Sequence, residues 1–165
     1  MSRPQVIDDQ DHERVYERAA AVDVGKDSGV VCTRTPHPSR PGSRRAAVWT
    51  VQARTNAIRI LGGQLREDGI EVVTLESTSD YWRIWFYVLE ACGLKVQLVQ
   101  ASQAKNLPGR PKTDKLDAMW LARLTEMGLL RPGFVPPKPI RDLRDYTRAR
   151  AKLVRERTRC WQRLE

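Results

Sequence analysis

The chain has 165 residues, 41% hydrophobic and 30% charged, enough for one globular domain with a real core plus an appendage. No apolar run approaches the ~20 residues that span a bilayer. The acidic start (Asp8, Asp9, Asp11, Glu13) is unlike a signal peptide, so a soluble, cytoplasmic protein with no membrane partner is expected. The net charge of +9 points to a polyanionic partner, because each phosphate neutralised by Lys or Arg releases condensed counterions.

Residues 1–16 are polar, lack periodicity and read as a flexible lead-in. Residues 18–24 (Arg-Ala-Ala-Ala-Val-Asp-Val) read as a short buried strand, 30–33 as a second after the turn at 25–29, and 46–51 as a third beyond the proline-rich loop 36–42. A helix over 55–67 follows, with Ile58, Leu61 and Leu65 on one face. Residues 71–76 make a fourth strand, 80–92 a second helix stopped by Gly93, and 94–99 a fifth strand. The Pro-Gly-Arg-Pro run at 108–111 breaks the chain before a third helix over 113–127, whose apolar stripe is Leu116, Trp120, Leu124 and Met127. Three strands followed by alternating helices and strands is the order of an RNase H-like α/β fold. The expectation is a mixed five-stranded sheet with flanking helices over residues 17–130.

A proline-rich linker spans 131–139, and a helix runs from 140 to 165. That segment holds nine Lys or Arg against four Asp or Glu. Its apolar positions (Ile140, Leu143, Val154, Trp161, Leu164) fit a heptad loosely, interrupted by Thr147, Arg150 and Arg157. It reads as the start of a basic, coiled-coil-like connector whose partner, like a second domain, lies outside this sequence. Cys32, Cys92 and Cys160 lack a CxxC spacing and read as reduced, mostly buried thiols. With His12 and His37 as the only histidines, a metal site would have to be built from carboxylates.

Four acids suit that role. Asp23 sits inside an apolar strand, where a lone buried carboxylate costs several kcal/mol unless paired or metal-bound. Glu76 ends the fourth strand, a neighbour of the first in this fold. Asp114 and Asp117 open the third helix with Cβ atoms roughly 5–6 Å apart on one face. Four converging carboxylates repel unless cations sit between them, and Mg²⁺ (or Mn²⁺) prefers oxygen ligands while keeping waters for a phosphate. Read singly, each acid has a plainer role: macrodipole complement for Asp114 and Asp117, a solvated strand end for Glu76, turn chemistry for Asp23.

Residues 21–26 (Ala-Val-Asp-Val-Gly-Lys), 75–78 (Leu-Glu-Ser-Thr) with Tyr81 and Trp82, and 112–118 (Lys-Thr-Asp-Lys-Leu-Asp-Ala) resemble the DEDD transposases of insertion sequence family 110, a group that includes the Piv-like DNA invertases. The resemblance covers about residues 17–165, and in the tail it rests on 128–131, Pro136-Pro137, Leu143-Arg144 and 154–158. It implies a RuvC-like domain that binds divalent metal through Asp23, Glu76, Asp114 and Asp117. It also implies DNA strand cleavage and transfer in transposition, with a serine nucleophile in a further domain. DNA, a structured guide RNA in some members, and a homo-oligomer of the full-length protein are the implied partners. The family commonly has Gly after Glu-x-Thr; here Ser79 and Asp80 stand there, and Asp80 reads as a helix cap.

Lys26, Lys105, Arg110, Lys112 and Lys115 flank the acids and would hold a phosphate backbone, with Arg144, Arg148 and Arg155 on the last helix. Tyr81 is a candidate for stacking on a base, whereas Trp82 reads as core with Trp85 and Leu89. Two rival enzymes fit less well. An actin-like or sugar-kinase-like ATPase needs a second phosphate loop, and a DEDD exonuclease needs an acid where Gly25 stands. The remaining alternative is a truncated fragment that binds nucleic acid without catalysis.

Overall fold

The computed structural model describes residues 5–9, 14–77, 79–100 and 114–164. Its strands are β1 (Gln5–Asp9), β2 (Ala19–Val24), β3 (Ser28–Pro36), β4 (Arg44–Gln52), β5 (Val72–Ser77) and β6 (Val96–Gln100). The helices are α1 (Thr55–Glu67), α2 (Trp82–Ala91), α3 (Asp114–Glu126) and α4 (Lys138–Gln162). The sheet order is β1-β4-β3-β2-β5-β6. β2, β3 and β4 form an antiparallel meander, while β5 pairs parallel to β2 and β6 parallel to β5. All five expected strands are present in the RNase H-like order.

The sixth strand is a correction to the lead-in. Gln5–Asp9 pairs antiparallel with β4, from Val48 to Arg44. The pairing satisfies main-chain groups on the outer edge of β4, a gain that a five-residue segment does not advertise through periodicity.

β2 lies at the centre, and Ala19, Ala20, Ala21 and Val22 are all fully buried because both faces of the sheet are covered. On one face Trp85 of α2 stands over Gly29: a Cβ at that position would sit 2.8 Å from both Trp85 Cζ2 and Val22 Cγ1. α1 buries Ile58, Leu61 and Leu65 beside it. Gly62 allows α1 close to Cys92, whose Sγ would be 2.6 Å from an added Cβ. After α2 the chain turns through Gly93 at φ +82, as the sequence signalled.

The opposite face carries α3. Ala21, Cys32, Ala46, Val48 and Val99 of the sheet pack with Ala118, Leu121, Ala122 and Leu124 of the helix. This corrects the expected stripe in part: Leu124 is in the core and Trp120 packs half-buried against it, whereas Leu116 is 40% exposed and Met127 half-buried. Small residues on both sides decide the outcome: alanines on β2 and α3 let the backbones approach, so close packing outweighs the larger side chains. By the 3.6-residue repeat, position 114 shares the sheet-facing side with 118, 121 and 125, and position 117 borders it.

Residues 134–165 form a separate compact unit. Its helix α4 follows Pro137 and has Pro139 in its first turn, where a missing N–H removes no helical bond. Nothing on α4 is buried. Among the described residues no helix is long and apolar enough to cross a membrane. All three cysteines are free thiols, but only Cys32 is buried; Cys92 is half-buried and Cys160 exposed, against the expectation of mostly buried thiols.

Candidate metal and nucleic-acid site

Asp23 and Glu76 are register partners on the parallel strands β2 and β5. Register partners on neighbouring strands lie about 4.8 Å apart and point to the same side of the sheet. That side is the α3 side, because Ala21, two residues before Asp23, packs in the α3 core, and Thr74, two residues before Glu76, hydrogen-bonds Thr125 of α3 at 2.8 Å. Glu76 is 4% exposed and Asp23 is half-buried. Both stand at the C-terminal end of their strands.

The direction of α3 brings its first turn to the same end. Its last residue, Glu126, accepts hydrogen bonds on its carbonyl from Val15 N (2.9 Å) and Tyr16 N (3.1 Å), just upstream of β2. The Glu126 carboxylate pairs with Arg34, whose register partner is Ala19 at the start of β2. The tail of α3 therefore lies over the beginning of β2, and the first turn of α3, with positions 114 and 117, lies toward the end of β2. From Thr125 to Asp117 is about 12 Å along the helix, and from Thr74 to Glu76 about 6.6 Å along the strand. Asp117 is half-buried, and the side chain of Asp114 lies outside the described side chains.

Among the described residues no group of three or more His, Cys, Asp or Glu is placed to hold a metal ion. The described portion of the constellation is thus the Asp23–Glu76 pair, with Asp117 bordering the same face. The donor set is all carboxylate, which suits a hard cation and not a soft one.

Other predicted contacts divide by location. Lys26 is exposed in the turn that follows β2, three residues beyond Asp23. Tyr81 is 44% exposed immediately before α2. Lys105, Arg110 and Lys112 lie outside the described residues, and Lys115 is placed in α3 by its backbone only. Arg144, Arg148 and Arg155 are exposed on α4 in the second unit. The cap expected from Asp80 is absent: α2 has Tyr81 at its N-cap with no side-chain bond, and Asp80 instead pairs with Arg83 at 3.1 Å. Trp82 stacks edge-on with Phe86 and Tyr87, and is not a core partner buried like Trp85.

The sequence reading missed the groups that seat α3. Arg34, Arg44 and Glu126 are each 1% exposed, and Glu126 pairs with both arginines. Burial pushes the Arg44 guanidinium below its usual pKa, with Glu126 opposing that shift. In the last turn of α3, Thr125 Oγ1 bonds Leu121 O at 2.7 Å as well as Thr74, and Gln97 Nε2 of β6 donates to Thr74 Oγ1 at 2.6 Å. A basic residue beside a strand end ordinarily signals solvent; the distant acid at 126 lets these two be interior, with Glu17 as a second partner of Arg44 at 3.5 Å.

A family model described as transposase, of the DEDD type of insertion sequence family 110, matches residues 20–165. No curated protein matches the chain. Among solved structures, Thermus thermophilus RuvC is similar at 14% identity and a TM-score of 0.51, with 70% of this chain and 99% of that one covered. RuvC of the same organism in complex with a Holliday junction substrate gives 14% and 0.50, covering 72% and 100%. Fowlpox virus resolvase with its Holliday junction DNA gives 16% and 0.44, covering 68% and 97%. The RuvC likeness fixes the fold as RuvC-like, and the family match over most of the chain assigns it: this protein belongs to the DEDD transposases of insertion sequence family 110.

Proposed function

We propose that Asp23, Glu76, Asp114 and Asp117 together hold Mg²⁺ or Mn²⁺ at the C-terminal edge of β2 and β5, and that this edge serves DNA strand cleavage and transfer in transposition. The observation that carries the reading is the in-register Asp23–Glu76 pair on the face covered by α3. A bound divalent ion supplies charge neutralisation and activation of oxygen nucleophiles or leaving groups in phosphoryl transfer. The chain's own part is to fix the carboxylates: β2 and β5 hold Asp23 and Glu76 in register, and the buried Glu126 pairing seats the helix that carries the other two. Lys26 and Tyr81, with Lys105, Arg110, Lys112 and Lys115, hold the nucleic-acid strand at that edge. The serine nucleophile implied by the family resemblance belongs in a further domain. DNA, a structured guide RNA and further copies of the full-length protein are the partners in this reading.

The test is Mn²⁺ binding followed by electron paramagnetic resonance and calorimetry. Wild type binds, whereas Asp23→Asn and Asp117→Asn each weaken binding at least tenfold with far-ultraviolet circular dichroism unchanged. Unaltered affinity in both variants removes the site assignment.

A further inference from the structure

Along α4 and its C-cap, the residues at 141, 144, 148, 152, 155, 159 and 163 are all Arg or Lys. The steps of three and four residues match the helical repeat, and at ~100° per residue all seven fall within an arc of roughly 100°. Arg141 is half-buried and the other six are exposed. Lys152 has Glu156 at 3.9 Å, and Arg141 donates to Pro136 O at 2.9 Å. Arg144, Arg148, Arg155, Arg159 and Arg163 have no ion-pair partner among the described residues. Like charges three and four residues apart destabilise a helix. This ridge concentrates them on one side, while Leu143, Tyr146, Leu153, Val154 and Trp161 occupy the other with Arg150 and Arg157.

We propose that this basic ridge of α4 docks on the phosphate backbones of duplex DNA, a surface that rests on the DNA-handling role proposed above. From 141 to 163 the ridge is about 33 Å long. A regular helix about 10–12 Å across matches the B-DNA major groove, about 12 Å wide, and not the deep, narrow major groove of an RNA duplex. The contacts are with phosphates, so the ridge supplies affinity and register without reading sequence.

The experiment compares two double variants that remove equal charge at equal spacing from opposite faces: Arg148→Gln/Arg155→Gln on the ridge, and Arg150→Gln/Arg157→Gln across from it. Binding of the full chain to a 30-base-pair DNA duplex is followed by fluorescence anisotropy over a range of salt, with a chelator present so that the carboxylate site does not contribute. Each lost phosphate contact lowers the log–log salt slope by about 0.9, so the ridge pair should flatten it by about 2 and weaken binding about 50-fold at 0.1 M salt. The opposite pair should leave the slope within about 0.5 of the parent. Equal losses in both variants would mean that net charge alone is read, and would overturn the ridge. A duplex RNA of the same length displacing DNA at lower concentration would overturn the choice of DNA. Mn²⁺ binding measured on the ridge variant stays at the parent value, which separates failure of the ridge from failure of the carboxylate site.

Discussion

Asp23 and Glu76 are separated by 53 residues in sequence yet occupy paired positions on adjacent parallel strands, on the face that α3 covers. Two carboxylates on strands about 4.8 Å apart in a partly buried setting repel, so whatever neutralises them is coupled to the stability of the sheet that holds them. That coupling makes the site measurable by thermal unfolding as well as by direct binding.

A ligand that binds only the folded state stabilises it by about 2.7 kcal/mol at one hundred times its Kd. For a domain of this size the shift is roughly 8 °C in Tm. Mn²⁺ should therefore raise the Tm of the wild type, and Glu76→Gln should abolish that rise while still unfolding cooperatively. A metal-induced rise of the same size in Glu76→Gln would place the ion elsewhere.

Glu126 is flanked by Arg34 and Arg44 in the interior, and no other described carboxylate is as deeply buried. Glu126→Gln removes the buried carboxylate that both guanidinium groups share, leaving Arg44 only the exposed Glu17 at 3.5 Å, and should cost about 3–5 kcal/mol in urea unfolding. Replacing the three together (Arg34→Met, Arg44→Met, Glu126→Leu) should recover most of that loss, since an apolar triad of similar volume removes the desolvation cost. A Glu126→Gln cost below 1 kcal/mol would mean that the pair of arginines is solvated in the native state.

Gly29 lies under the Trp85 ring with no room for a methyl group. Gly29→Ala should destabilise by about 1–3 kcal/mol through overpacking, and Gly29→Ala combined with Trp85→Phe should recover part of it. Equal stability of Gly29→Ala and wild type would contradict the packing of α2 on β3.

Thr125 anchors the last turn of α3 to Thr74, which Gln97 holds in turn. Thr125→Val keeps the shape and removes the hydroxyl, at an expected cost of about 1–2 kcal/mol, because Thr74 loses a buried partner. The double variant Thr74→Val/Thr125→Val should cost less than the sum of the singles, which a double-mutant cycle reads directly.

Much of the architecture was legible because its signals are local. The alanine–valine run of β2 and the 3.6-residue period of α1 each declare an element in a short window. The carboxylates at 23, 76, 114 and 117 stood out because an acid in an apolar strand or opening a helix is visible without a partner. β1 was not legible, since its reason to be a strand is the open edge of β4 some forty residues away. β3 extends past Thr33 through Arg34 to Pro36 for a similar reason: the charge that should end the strand is met by Glu126, 92 positions later.

The sequence by itself determined the order of elements from β2 onward, the acids available for a hard cation, and the basic excess on α4, because each is written in composition and period. Only the tertiary structure decided which side of α3 faces the sheet, that Asp23 and Glu76 stand in register, and that Arg34 and Arg44 are interior. Those outcomes depend on close approach between segments far apart in the chain, where alanine against alanine and arginine against glutamate outweigh the local preference of each residue.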